Sequence, residues 1–299
     1  MKKIFSALIL INVLIALSAD TSGEYGWQML KISSGVDCAA QGGAGAFSAD
    51  DAFSFLNHPV AGLFSRKQVI SLAQNYWIFD TTLNSGAYLN STGNKSFGFA
   101  YRYLDYGKLD NYDDVGNLIG EYHPMDLVIT MNFGCRLTPD HYLGVNVNAL
   151  YEKILTSSSY GASFDLGYTY LTPFKEVQLY ATLRNLGKTS QMDLENIDLP
   201  VSGELGFLRN FQVGTMTFSN DLKFIMSIDD DNLKAVLGVR CALNEKLNLK
   251  AGYKFNYDAE TFSVGFGVDL KKIYLNYAFI PFSSEIDDVH IIGLTYRFQ

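Results

Sequence analysis

From residue 68 to the end, apolar and polar positions alternate with a period of two. In KSFGFAYRY (95–103), Phe97, Phe99, Tyr101 and Tyr103 share one face, and Ser96, Gly98, Ala100 and Arg102 share the other. In 142–151, Leu143, Val145, Val147, Ala149 and Tyr151 oppose Gly144, Asn146 and Asn148. In 247–257, Leu247, Leu249, Ala251, Tyr253, Phe255 and Tyr257 oppose Asn248, Lys250, Gly252, Lys254 and Asn256. The last segment sets Ile292, Leu294, Tyr296 and Phe298 against Gly293, Thr295 and Arg297. Such alternation is the mark of a β-strand with two unlike faces. Further strands are expected near 69–77, 82–90, 126–135, 160–171, 177–185, 201–207, 215–227, 233–243, 261–269 and 273–280. The total is about fourteen, an even number, as in single-chain outer-membrane barrels.

The charges sharpen the pattern. Arg102, Asp126, Asp165, Arg184, Glu204, Asp221, Lys223, Lys234, Arg240, Lys250, Lys254, Asp269 and Arg297 all fall opposite the large apolar face. A soluble sandwich gives the same alternation, with the polar face in water. Strand length favours the membrane: many segments run about 9–11 residues, against about 5–6 in soluble sheets. The polar face also mixes acids, bases, Gly, Ser and Asn, as a packed lumen would. With both termini on the periplasmic side, the short connections 91–94, 136–140, 172–176, 208–214, 244–246 and 270–272 are periplasmic. The long ones, 104–124, 152–159, 186–200 and 281–289, fall outside. The fold expected is all-β: a transmembrane antiparallel β-barrel of about 14 strands.

Ahead of the strands, Gly35 to Leu63 is crowded with Gly and Ala. Small residues let backbone lie close to a wall of side chains, so the stretch is read as an N-terminal plug in the barrel mouth. Ser48 and Asp51 resemble a capping box, which predicts a short helix over 49–56, ending at Asn57-His58-Pro59. The expected division is 1–18 signal peptide, 19–67 plug and 68–299 barrel. Lys2 and Lys3, an apolar core over 4–17 and the small residues Ala16 and Ser18 make the leader. Export with a barrel implies the bacterial outer membrane.

Composition agrees. Only 18% of residues are charged, against 14% aromatic, with 19 Tyr and 21 Phe; average domains carry about 25% charged residues. Removing Lys2 and Lys3 leaves 21 basic against 31 acidic residues, a net of −10, which disfavours nucleic acid. Cys38, Cys135 and Cys241 are far apart and read as small buried hydrophobes. No zinc spacing or phosphate-cradling glycine loop occurs, so neither metal nor cofactor is expected. The long connections are acidic (Asp110, Asp113, Asp114, Glu121, Asp229, Asp230, Asp231, Asp287, Asp288), which reads as a solvated rim ahead of a divalent-cation site.

Several motifs carry a family likeness. One run comprises Gly42-Gly43-Ala44, Asp50-Asp51, Asn57, Pro59 and Ala61-Gly62-Leu63. A second comprises Leu104-Asp105-Tyr106-Gly107, Asp114, Gly116, Gly120-Glu121-Tyr122 and Asp126. Asn185-Leu186-Gly187 and Leu199-Pro200 add to them. In these the chain resembles the PorV/PorQ family of outer-membrane proteins, itself related to FadL-like barrels, and it lies closer to PorQ. Its end, from Gly293 through Tyr296 and Phe298, resembles the insertion signal of such barrels. The resemblance implies a non-catalytic accessory or scaffold role in type IX protein secretion or surface attachment. Its partners would be outer-membrane lipid, other secretion-system proteins and secreted cargo.

Two further readings stay open. A FadL-like conduit for hydrophobic small molecules needs a low-polarity pocket, for which Val36, Phe47, Phe53, Phe55 and Leu56 are candidates; packing of the plug is the plainer role for them. A surface hydrolase needs His with carboxylates at the outer rim, where His123 and His290 have Asp126, Asp287 and Asp288 in sequence reach. No such motif is complete, so no catalytic residue is assigned.

Overall fold

The computed structural model describes residues 26–298, leaving out 66–67, 175, 194, 196 and 283–285. The signal-peptide reading of 1–18 lies outside the described residues.

Fourteen antiparallel strands close into one barrel. They are β1 (Gln68–Tyr76), β2 (Thr82–Ser91), β3 (Lys95–Asp105), β6 (Met125–Arg136), β7 (His141–Ile154), β8 (Ser157–Leu171), β9 (Val177–Thr189), β10 (Ser202–Val213), β11 (Met216–Ser227), β12 (Asp230–Ala242), β13 (Leu247–Phe255), β14 (Phe262–Leu270), β15 (Ile273–Ile280) and β16 (Val289–Arg297). The seam closes where β1 pairs β16, Val69 opposite Arg297 and Tyr76 opposite His290. Closure pairs every strand with a neighbour on each side and leaves no edge strand, the condition for a sheet to sit in lipid. The remaining pair, β4 (Leu109–Tyr112) and β5 (Leu118–Tyr122), forms a separate hairpin between β3 and β6. The expected loop 104–124 thus contains a hairpin of its own.

Side-chain direction follows the alternation. Phe97, Phe99, Met131, Phe133, Leu205, Phe207, Leu249, Phe266, Ile292 and Leu294 point outward and are exposed. Inside, Arg102, Asp126, Asp165, Glu204, Asp221, Lys223, Lys250 and Arg297 are buried. An apolar exterior of this extent over an ionic interior is stable only with lipid outside. A closed 14-strand barrel of this kind fits a bacterial outer membrane. No helix of the described residues is long and apolar enough to cross a membrane.

Three local expectations need correction. β10 runs to Val213, so the expected connection 208–214 is a tight turn ending the strand at Gly214. Its alternation was masked by Arg209, which faces outward, 3.7 Å from Glu176 and over the Phe211 ring. Such a side chain lies along apolar surface and keeps its charge at the membrane rim. The helix expected over 49–56 is one turn only, α2 (Ser54–Asn57); an earlier turn, α1 (Val36–Ala39), was not foreseen. Asp51 Oδ1 accepts the Phe53 amide, while Ser48 Oγ donates to Asp37. The hydroxyl is thus drawn off to a buried carboxylate, and the helix begins later. Of the cysteines, only Cys38 is fully buried; Cys135 and Cys241 are partly exposed.

The connections at the end carrying Gln68 and Arg297 are all short, which by the rule for such barrels makes it the inner end and the end bearing the β4–β5 hairpin the outer end. The plug enters the lumen in the outer half, where Trp27 and Met29 pack on Leu83, Leu104, Val128 and Leu150. It then descends, so that Val36, Ala39, Ala40, Phe53 and Phe55 lie on the small inward side chains Ala73, Ala87, Ala100 and Ala278. Glycines in the wall admit it. A Cβ at Gly252 would lie 2.2 Å from Gln41 and Gly42 backbone, and one at Gly144 would lie 2.4 Å from the Pro59 carbonyl. Only a residue without a side chain allows such approach.

Candidate functional site

Three ionic anchors fix the plug. The deepest centres on Asp37, a residue not singled out in the sequence. Its Oδ1 receives Lys250 Nζ at 2.6 Å and Asn276 Nδ2 at 2.8 Å, and its Oδ2 receives Ser48 Oγ at 2.7 Å. The Tyr274 hydroxyl lies 2.7 Å from Lys250 Nζ. Burial would raise the Asp37 carboxyl, but Lys250 and Arg240, with the hydrogen bonds from Lys250 and Asn276, hold it at about 2. The second anchor is Asp50, which meets Arg297 at 2.9 Å and Arg240 at 3.5 Å at the inner end. The third is Asp221, whose Oδ2 accepts the amides of Gly45 and Ala46. Arg184 adds hydrogen bonds to the Leu56 and Asn57 carbonyls.

The family-motif residues of the plug serve this docking. Gly42 and Gly43 take positive φ values of 71° and 96° in the turn after α1. Asp51 stays buried beside Gly35 and Phe53; burial, and then Asp37, push its carboxyl up to about 7. Asn57 ends α2. The Pro59 carbonyl accepts Asn132 Nδ2 at 2.9 Å, and Gly62 abuts Leu89. His58 is fully buried, its ring nitrogens bonded to Thr182 at 2.8 Å and Thr169 at 2.7 Å. Burial pushes it down to about 3, which leaves it neutral.

The outer motif residues lie elsewhere. Asp105 accepts the Gly107 amide at 2.9 Å, and Tyr106 donates to Asp126 at 2.8 Å, bracing the base of the hairpin. Gly116 and Gly120 lie in the hairpin itself, away from the lumen. The carboxylates weighed for a surface hydrolase are not assembled around a histidine. His123 sits 3.5 Å from Asp105, and His290 lies against Tyr277. Among the described residues, no group of three or more potential ligands is placed to hold a metal.

Above the plug, in the outer half of the lumen, lies a cavity of about 340 Å³. Its floor is Ser34, Gly42, Gly43, Leu56 and Asn57 of the plug; its wall includes Arg102, Asn148, Asp165, Arg184, Glu204 and Lys223. Leu30, Ile32, Pro200 and Ile225 give it an apolar side. It is not the pocket expected from Val36, Phe47, Phe53, Phe55 and Leu56. Val36, Phe53 and Phe55 are buried in the plug core, Phe47 packs on His58, Phe64 and Tyr180, and Leu56 alone reaches the cavity.

The wall beside this cavity is irregular. β9 pairs β10 only up to Arg184 opposite Ser202, then runs on to Thr189 against β8 alone. A register shift lies across Phe164/Leu166, with Asn185 at φ 58°. The returning loop fills the gap: Asn185 Nδ2 donates to the Pro200 carbonyl at 2.9 Å. Asn185 and Pro200, picked out as motif residues in the sequence, thus border the cavity.

No protein-family model matches the chain, and no match appears among curated proteins. Solved structures do resemble it. The toluene transporter TodX of P. putida has a TM-score of 0.66 at 12% identity, over 89% of this chain and 98% of that one. The toluene transporter TbuX of Ralstonia pickettii gives 0.64 at 14%, over 89% and 98%. A FadL homologue of Pseudomonas aeruginosa gives 0.59 at 11%, over 90% and 99%. The likeness is one of fold. The PorV/PorQ part of the resemblance rests on the motif residues alone.

Proposed function

We propose that this chain is a FadL-like outer-membrane conduit for small, largely hydrophobic molecules, and that it is not an enzyme. The observation that carries the reading is the 340 Å³ cavity between plug and wall, beside the stretch of β9 that β10 does not pair. A plug held by ion pairs closes the inner half, so a molecule entering from outside meets the cavity first. Structures of the same fold include two toluene transporters, which favours a hydrophobic cargo. The test is uptake of labelled toluene into proteoliposomes containing the purified barrel. Entry faster than into protein-free vesicles is expected; equal rates would defeat the reading.

One observation favours a second reading, the secretion scaffold implied by the PorV/PorQ resemblance. The β4–β5 hairpin stands at the outer end with Val115, Leu118 and Ile119 exposed at 81%, 59% and 61%. Apolar side chains displayed together on a protruding hairpin suit a protein partner. Crosslinking from position 115 in the native outer membrane tests it: capture of secretion components or surface-attached cargo supports it, and capture of lipid alone removes it.

A further inference from the structure

The charges around the cavity do not balance. Arg184, Lys223 and Arg102 face it with Glu204 and Asp165, the two lining carboxylates not already paired with Lys234 or Lys254. Glu204 is shared, at 2.7 Å from Arg184 and 3.5 Å from Lys223. Asp165 is taken by neutral donors: its Oδ1 accepts the Asn185 amide at 2.9 Å, and its Oδ2 accepts Asn146 at 3.1 Å and Asn148 at 3.5 Å. The other cations of the lining have partners of their own, Lys31 with Asp229, Lys234 with Asp230 and Lys254 with Glu260. The cluster therefore carries one positive charge more than its carboxylates, and Arg102 is its cation without a hydrogen-bonded carboxylate.

Arg102 is 8% exposed, and its Nε meets no acceptor. Asp165 acts on it only through the field. Ser34 Oγ, on the plug and 4% exposed, lines the same cavity and also lacks a partner. A buried guanidinium without a hydrogen-bonded carboxylate is costly to fold around, and its five donors form a fork suited to a carboxylate.

We propose that the outer cavity is an acid-binding site, in which Arg102 receives the carboxylate of a small organic acid and Ser34 donates to the same group. The body of the acid lies against Leu30, Ile32, Pro200 and Ile225. The volume is at the small end of the roughly 300–1,000 Å³ range of ligand pockets, and much of the wall is polar. The ligand is therefore compact, with one apolar ring or a short chain, and a long acyl chain does not fit. The proposal rests on the conduit reading, to which it adds the charge and size of the molecule carried.

Benzoate and toluene share a ring and differ in the carboxylate, so they separate the two ideas. Calorimetry on the purified barrel in neutral detergent is expected to show benzoate binding to the wild type. Affinity should fall about ten-fold or more in Arg102→Gln, the loss expected for a charge-assisted hydrogen bond, and partly return in Arg102→Lys. Palmitate should not displace benzoate. Arg102→Gln also removes an unpaired buried charge, so its urea midpoint should rise or stay level. Absent benzoate binding, equal affinity in Arg102→Gln, displacement by palmitate, or a lowered midpoint would each overturn the proposal. Toluene uptake is measured in parallel on the same variant. Uptake without benzoate binding sinks the acid site and leaves the conduit; binding without toluene uptake does the reverse.

Discussion

The pair Asp37–Lys250 offers the sharpest test of how the plug is held. Both side chains are essentially inaccessible, at 1% and 0%. Asp37→Ala leaves the Lys250 ammonium buried, with the Tyr274 hydroxyl as its remaining neighbour. Breaking a buried ion pair by removing one partner costs about 3–5 kcal/mol. At about 1.4 kcal/mol per factor of ten, the undocked population of the plug rises by roughly 10² to 4 × 10³-fold. The barrel itself should persist, since its fourteen strands pair only with one another. The readout is hydrogen exchange at Ala39 and Ala40, whose amides bond to Gly35 and Val36 carbonyls at 3.0 and 2.9 Å. Exchange through local opening tracks the open population, so these amides should accelerate by the same factor, roughly 10² to 4 × 10³. Removing both charges, as Asp37→Leu with Lys250→Met, should recover most of the protection, because an apolar pair of like volume replaces the ions without a stranded charge. Unchanged exchange in Asp37→Ala, or a double variant as labile as the single one, would refute the reasoning.

Other outcomes follow from the same geometry. Asp51 is raised from 3.8 to about 7 by burial and then Asp37. The docked plug therefore keeps a proton that the free segment has already lost, and docking weakens as pH rises from about 4 to about 7, by a few kcal/mol at most. Asp51→Asn should flatten that dependence of exchange on pH; a slope that survives the substitution would contradict it. Gly252→Val forces a side chain into Gln41 and Gly42 backbone, so single-channel conductance should rise as the plug is displaced, while heat-modifiable gel mobility stays that of a closed barrel. Leu294→Arg puts a charge on the lipid face, where a mid-membrane Arg costs about 2–4 kcal/mol; its unfolding midpoint in lipid vesicles should fall, whereas Leu294→Phe should leave it within about 1.5 kcal/mol of wild type.

The alternation from residue 68 onward determines the sheet. With a period of two, each strand has one greasy and one ionic face, and the ionic face of fourteen such strands can be enclosed only by closing the sheet. Strand after strand therefore lies within a few residues of its expected span, and every inward charge named from the sequence faces the lumen. Where the pattern failed, a local contact explains it: Arg209 broke the alternation of β10 because it reaches the membrane rim, and Ser48 did not cap because Asp37 claims its hydroxyl.

The site was decided by tertiary structure. Asp37 meets Lys250 across 213 residues, and no spacing in the chain announces such a pair. Arg102 looks in sequence like any other lumen charge. It stands apart only because a register shift in β9 turns the Asn185 amide onto Asp165, so the carboxylate next to Arg102 is already occupied. Charge in a sequence is a count, whereas the partner of each charge is set by which strands come to lie side by side.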